Sequence, residues 1–392
     1  MSVFRNMLSL AAVTIAVGAC TRDAVTASQS DPPAASAVKF WDVNATSDWN
    51  ERADVLAARR PAGLNGVRVF TYLAMAQFRA GEAAELSPGA HPPVSAAIGA
   101  ASAAILNAFF PLDVAENEAV LDAQQSADPW PGAKHQDFAA GEAIGRAIAA
   151  RVLRFAASDR VNLTNPGTPP IGPGYWRWNG GPIARSNLGA RPFLLTSGSE
   201  IRPGPPPAFG SPAFLAALAE VRQISDTRTP EQLAIAQYWQ TNQSAVSSAA
   251  QNGFARALIR SHRVKDVEAA RIFFQMQIAT WDAFVACFDA KYHYWFIRPS
   301  QADPLITTPV GIPPHPSYPS AHACVSGAWS TVLKQAFPDQ TEQLEAAATE
   351  AEVSRLYAGI HYRFDLEAGR TIGRTTGARA TAADLATVAV LP

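Results

Sequence analysis

Three short blocks in the last third of the chain gather the residue types needed to grip and transform a tetrahedral oxyanion. The first places Lys291 and Arg298 seven residues apart. The second reads Pro-Ser-Ala-His and contains Ser320, Ala321 and His322, and the third sets Arg355, His361 and Asp365 close together. Arginine offers a planar fork of donors matched to two oxygens, and lysine adds a compact point charge. One histidine could bond the central atom while the other moves protons. Phosphate and vanadate suit this inventory, and the chain reads as an oxyanion-centred enzyme.

Local spacing says how these groups could be aimed. Seven residues are about two helical turns, so Lys291 and Arg298 share a face if one helix carries both. Pro299 then ends the helix or fixes the chain just beyond Arg298. His315-Pro-Ser-Tyr-Pro is a proline-stiffened turn leading into a helix at Ser320. A helix start exposes free N–H groups and the positive end of the dipole, so the Ser320 hydroxyl and the Ala321 N–H could face an anion. Taken alone, Ser320 is equally an ordinary N-cap. His361 needs one ring nitrogen held if the other is to attack or coordinate, and Asp365 could hold it. A salt bridge from Asp365 to Arg363 or Arg370 is the local alternative.

The elements that must carry these blocks are helices. Apolar residues recur at three- and four-residue intervals over 67–84, 94–110 and 134–157. Ser211-Pro212 and Thr229-Pro230-Glu231 are start signals for helices running to about 224 and 240. Further helices are expected over 264–291, 320–337 and 341–359. No run alternates as a strand does, and no repeat of fixed period appears. The expected fold is all-α, a large helical bundle with the oxyanion pocket at its core. The exception is 161–212, where 20 of 52 residues are Gly or Pro. It also holds Tyr175, Trp176, Trp178, Phe193, Leu194 and Leu195, so it is expected to wrap the core and wall the mouth of the pocket. A linker between two domains is the other reading.

At 392 residues, 48% hydrophobic and 17% charged, the chain can bury a large core. A formal net charge of −1 without a long basic run argues against nucleic acid as a partner. Residues 1–20 look like a secretory signal: Arg5, a short apolar stretch, then Gly18-Ala19-Cys20. Val17-Gly18-Ala19-Cys20 also resembles a bacterial lipoprotein box, in which Cys20 would be lipidated. Thr21 after that cysteine suits sorting to the outer membrane, and 21–37 reads as a flexible tether. The expected organisation is therefore a signal over 1–20, a tether over 21–37 and one helical domain over 38–392, its motif half at about 260–392. Export to the bacterial periplasm follows. Cys287 and Cys324 are either two buried free thiols or a disulfide, and the sequence leaves a homodimer open.

The order and spacing of the three blocks resemble the signature of the type 2 phosphatidic acid phosphatase superfamily: Lys-x6-Arg-Pro, Pro-Ser-Gly-His, and Ser-Arg-x5-His-x3-Asp. One position departs, Ala321 standing where the family has glycine; the N–H survives and a methyl group is added beside the anion. Within the superfamily the chain looks most like the vanadium-dependent haloperoxidases. Trp281-Asp-Ala-Phe-Val-Ala-Cys-Phe-Asp-Ala-Lys, Gly141-Glu-Ala-Ile-Gly-Arg and Pro192-Phe-Leu-Leu extend the likeness from about residue 50 onward. The resemblance implies that Lys291, Arg298, Ser320, the Ala321 N–H and Arg355 bind oxyanion oxygens. It makes His361 the ligand of vanadium and His322 the acid–base group, and likens His315 to a second histidine of brominating or iodinating members. The implied activity is oxidation of bromide or iodide by hydrogen peroxide with vanadate as cofactor. The alternatives are a periplasmic acid phosphatase acting on phosphomonoesters through a phosphohistidine, which needs no cofactor, and a non-catalytic oxyanion-binding envelope lipoprotein.

Overall fold

The computed structural model describes residues 44–391 apart from 62, 64, 88–91, 127–135, 162, 179, 245–246 and 389–390. The expected signal, Cys20 and the tether lie outside the described residues. Helices follow one another as α1 (Ala45–Arg59), α2 (Gly66–Glu85), α3 (Val94–Phe109), α4 (Val114–Ser126) and α5 (Gln136–Ala156), then, after a long irregular stretch, α6 (Pro212–Thr227) and α7 (Pro230–Asn242). The motif half adds α8 (Ala249–Ser261), α9 (Asp266–Tyr294), α10 (Ala321–Ala336), α11 (Thr341–Tyr357) and α12 (Arg363–Ala382). Among the described residues there is no strand, only an isolated bridge between Tyr175 and Phe296. No described helix is long and apolar enough to cross a membrane.

The start signals at Ser211 and Thr229 act as read: each side chain accepts the backbone N–H three residues on, and Thr229 forms a reciprocal box with Gln232. Four helices were not anticipated: α1, α4, α8 and α12. Their buried faces mix a few large apolar residues, such as Trp49, Leu56, Leu121, Ile259, Leu366 and Ile372, with small and polar ones.

Helix α9 is the axis of the bundle. From Ala269 to Tyr292 only Arg271 and Asp289 escape burial, as befits a helix enclosed on every side. It stops at Tyr294 because Trp295 takes a left-handed turn (φ 51°) and returns its N–H to the Lys291 carbonyl. Trp176 secures that turn, donating its N–H to the Trp295 carbonyl at 2.7 Å and stacking on the indole. Arg298 therefore lies beyond the helix, and the expectation of a shared helical face with Lys291 is corrected. Pro299 opens a single short turn, Pro299–Ala302, rather than ending a helix.

Helices α10 and α12 pack unusually close through Gly369, Gly373 and Gly377, one per turn along α12. A Cβ at Gly369 would stand 2.5 Å from the Ser320 carbonyl oxygen, and one at Gly373 would collide with that of Cys324. This seam lays the start of α12, which follows His361, beside Ser320 and the start of α10. Ser320 N–H accordingly donates to the Asp365 carbonyl at 2.9 Å.

The Gly/Pro-rich stretch wraps the bundle as expected. Trp176, Leu188 and Leu195 are buried, while Tyr175 and Trp178 remain exposed. It touches the surroundings of the motif blocks at several points, with Ala184 N–H on the Pro314 carbonyl, Tyr292 OH on the Ala184 carbonyl, and Arg202 paired to Asp289.

Candidate active site

The three blocks converge. Lys291 projects from the last turns of α9, Arg298 from the segment after it, His322 from the first turn of α10, Arg355 from the last turn of α11, and His361 from the link to α12. Lys291, Arg298, Arg355, Ser320, His361 and Asp365 are all buried, whereas His315, Ala321 and His322 are partly exposed and mark the open side.

Burying three cations is costly unless something compensates them. Here the compensation is almost entirely neutral. Lys291 Nζ donates to the carbonyls of Pro316, Ser317 and Pro319. Arg298 donates to the carbonyls of Ile360 and His315 and to a ring nitrogen of each of His361 and His315. Arg355 meets the Ala236 carbonyl, Gln240 Oε1 and Ser354 Oγ. Burial lowers Lys291 to about 8, Arg355 to about 9 and Arg298 to about 10. A strong positive potential is thus held in an apolar setting, with Asp365 as the buried carboxylate among the motif residues.

Asp365 is taken by His361 rather than by an arginine. Its Oδ2 receives His361 Nδ1 at 2.8 Å, Ser317 Oγ at 2.6 Å and the Tyr362 N–H at 3.1 Å, while Oδ1 is buried without a partner. Arg363 pairs with Glu220 and Arg370 with Glu352, so the salt-bridge alternative does not occur. His361 Nε2 faces Arg298 Nη1 at 3.1 Å. Hydrogen on Nδ1 and a lone pair on Nε2 is the tautomer this network selects. Burial and the neighbouring Arg298 keep the ring neutral, far below the usual histidine range.

His322 Nε2 donates to the Trp239 carbonyl at 3.1 Å, leaving Nδ1 as the base nitrogen. Burial, then Arg355, hold this imidazole neutral too. Ser320 Oγ accepts the Ala323 N–H at 3.4 Å, the ordinary N-cap role, at the head of α10. His315 lies on Arg298, its ring 5.3 Å from that of Phe288. His293 is exposed and takes no part. Cys287 and Cys324 are free, buried thiols.

Two contributors went unseen in the sequence. Ser317 sits within the Pro-Ser-Tyr-Pro turn, where its neighbourhood to the motif was a usable signal; Gln240, distant in sequence, offered none. A cavity of about 780 Å³ bordered by Arg59, Arg60 and Arg68 shares no residue with the site, and those arginines are paired with Asp113 and Asp159.

Comparison with known proteins agrees with this geometry. Residues 276–386, which contain all three blocks, match the PAP2 superfamily. A non-specific acid phosphatase of Salmonella typhi is 38% identical over 63 residues, which is 16% of this chain; the match spans a quarter of that relative's length. The crystal structure of the first bacterial vanadium-dependent iodoperoxidase superposes with a TM-score of 0.71 at 25% identity, covering 86% of this chain and 95% of that one. An apo bacterial vanadium-dependent chloroperoxidase shares the fold, with a TM-score of 0.63 at 14% identity over 82% of this chain and 95% of that one. Residues 276–386 are thus similar to the PAP2 superfamily, and the chain as a whole has the helical architecture of the vanadium-dependent haloperoxidases.

Proposed function

We propose that the chain is a haloperoxidase-type enzyme that holds vanadate among Lys291, Arg298 and Arg355 and uses hydrogen peroxide to oxidise bromide or iodide. The observation that carries this reading is the buried trio of cations held by neutral acceptors, within a fold similar along most of its length to a vanadium-dependent iodoperoxidase. The donor set fits the group. An oxyanion would supply the missing negative charge, and His361 Nε2 carries a lone pair suited to the central atom. Vanadate, when bound, supplies a Lewis-acidic centre for peroxide activation.

The remaining tasks fall to the protein. Arg298 and Arg355 bind and orient the anion's oxygens, with the first-turn N–H groups of α10, including that of Ala321, beside them. Asp365 keeps the proton on His361 Nδ1 so that Nε2 stays directed at the site. His322 Nδ1 takes and returns the proton that peroxide must shed, since its Nε2–H is occupied by Trp239. His315 and Phe288 border the Arg298 side, where halide choice would be exercised.

The acid phosphatase match supports a second reading with the same residues. A phosphomonoester would bind as the dianion, whose charge would let His322 Nδ1 take up a proton; His361 Nε2 would attack phosphorus, and His322 would give that proton to the departing alkoxide. Water would then break the phosphorus–nitrogen bond, releasing phosphate and restoring the imidazole. Export with a lipid anchor on Cys20 belongs to the same proposal; labelling with a radioactive fatty acid, lost in Cys20→Ser, checks it.

The deciding experiment uses a form beginning after Cys20, purified without phosphate and assayed with and without vanadate. Peroxide-dependent bromide or iodide oxidation that requires vanadate and disappears in His361→Ala supports the peroxidase reading. Phosphomonoester hydrolysis by the vanadate-free protein, inhibited by vanadate, supports the phosphatase reading, and neither activity would defeat both.

A further inference from the structure

The last turns of α7 grip the site from outside the three motif blocks. The Ala236 carbonyl accepts Arg355 Nη2 at 2.7 Å, Gln240 Oε1 accepts Nη1 at 2.8 Å, and the Trp239 carbonyl accepts His322 Nε2 at 3.1 Å. Just beyond the helix, Gln243 Nε2 donates to the His322 carbonyl and to Ser326 Oγ. Arg355 thus rests on one helix carbonyl, one uncharged amide and the Ser354 hydroxyl.

The neighbouring arginines are treated differently. Arg363, Arg370 and Arg374 on α12 each lie on a glutamate: Glu220, Glu352 and Glu345. Those pairs cancel their own charge and cannot draw an anion. Arg355 is the buried arginine of α11, and its side-chain acceptors, Gln240 and Ser354, are neutral. A glutamate would fit where Gln240 stands, because the two side chains have the same shape. It would also be the better partner for Arg355 in the empty protein.

We propose that Gln240 is a positioning residue for Arg355, directing the guanidinium through a neutral acceptor so that its charge stays uncompensated for the oxyanion. The inference rests on the oxyanion reading above. It predicts a conflict between stability and affinity that a purely structural glutamine would not produce. Gln240→Glu should stabilise the empty protein by giving a buried cation its counter-ion, and weaken anion binding for the same reason.

The test measures phosphate and orthovanadate affinity by titration calorimetry, and thermal unfolding without anion, for the wild type, Gln240→Glu and the uncharged Gln240→Met. Gln240→Glu should unfold at a higher temperature than Gln240→Met while binding phosphate about tenfold or more weakly than the wild type. Gln240→Met should fall between the two in affinity. Wild-type affinity in Gln240→Glu would overturn the proposal, as would losses in both variants that simply track their melting temperatures. Failure of Gln240→Glu to fold would overturn it as well, because a carboxylate there is expected to help the empty protein. A wild type that binds neither anion would defeat the underlying oxyanion reading; a wild type that binds both, with Gln240→Glu unchanged, would defeat this inference alone.

Discussion

His361 Nδ1 lies 2.8 Å from Asp365 Oδ2, and on the other side of the ring Nε2 lies 3.1 Å from Arg298 Nη1. These contacts fix both the tautomer and the direction of the imidazole before any ligand arrives. The carboxylate orients, the arginine marks where negative charge is wanted, and the nitrogen between them is the one available to a central atom.

Replacing Asp365 should therefore damage chemistry more than binding. In Asp365→Asn the side chain can still occupy the space but no longer favours hydrogen on Nδ1. The turnover rate should fall by about 10²-fold or more, in the range typical for a misdirected acid–base or nucleophilic imidazole. Phosphate affinity measured by calorimetry should change far less, since Arg298 and Arg355 remain. An equal loss in both quantities would mean that Asp365 serves the anion cradle instead.

Ser317 should set the acid limb of the pH profile. Burial raises the Asp365 carboxyl to about 6, and the hydrogen bond from Ser317 is the largest influence pulling it back. As pH falls through that value the carboxylate takes up a proton and loses its hold on His361, so activity declines on the acid side. Removing the hydroxyl removes a lowering influence, and Ser317→Ala should move this limb to higher pH. Ser317→Thr, which keeps the hydroxyl, should restore it; identical profiles in all three proteins would refute the assignment.

Much of this was legible in the residues, and what was not has a physical reason. Lys291, Arg298, Arg355, His361 and Asp365 announce themselves because charged and titratable side chains at fixed spacing are rarely casual. Helices α2, α3 and α10 show apolar periods and α9 a long, mainly apolar run, so their bounds fall within a few residues of expectation. Helix α12 was not read because Gly369, Gly373 and Gly377, residues poor in helix propensity, punctuate its buried face, where they permit close approach. That Arg298 leaves the face of Lys291 could not be read, because Trp295, a bulky residue, turns left-handed with the support of Trp176, more than a hundred residues earlier. Gln240 was beyond reach for the same reason: its role exists only once α7 lies against α11.

The glycine seam should be sensitive to a single methyl group. A Cβ at Gly373 would press on the Cys324 carbonyl and on the Ala328 N–H, and the rigid backbones of α10 and α12 cannot both move without shifting the site. Gly373→Ala should lower stability by about 1–3 kcal/mol despite its better helix propensity, read as a drop in denaturant midpoint. Anion affinity should fall with it. A neutral or stabilising outcome would show that the helices have more freedom to separate than their packing implies.

Asp282 offers a test of the wrapping segment. It is fully buried on α9 and accepts three consecutive backbone N–H groups, Phe193 at 2.8 Å, Leu194 at 2.6 Å and Leu195 at 2.9 Å. Asp282→Ala would leave all three unpaired, a loss of about 3 kcal/mol or more. Limited proteolysis should then cut preferentially near 193–195, whereas Asp282→Asn, which retains one acceptor oxygen, should be intermediate. Uniform proteolysis along the chain would mean that the segment is secured by its apolar contacts instead.

Lys291 should impose an alkaline limit on anion binding. Its ammonium is buried and satisfied by three loop carbonyls, and burial lowers it to about 8. Only the charged form attracts an anion. As pH rises through 8 the empty protein gives up that proton, and binding must then include its recapture, so affinity should weaken by up to about tenfold per pH unit. Phosphate's own charge no longer changes much above about pH 8, so the slope belongs to the protein; Arg355 and Arg298, at about 9 and 10, would extend it only further into alkali. Calorimetric titrations with phosphate from about pH 8 upward should show this decline in the wild type. In Lys291→Met the affinity should be lower at neutral pH and nearly flat over the same interval. A decline that persists unchanged in Lys291→Met would transfer the titration to another group and leave Lys291 as a brace for the 316–319 loop.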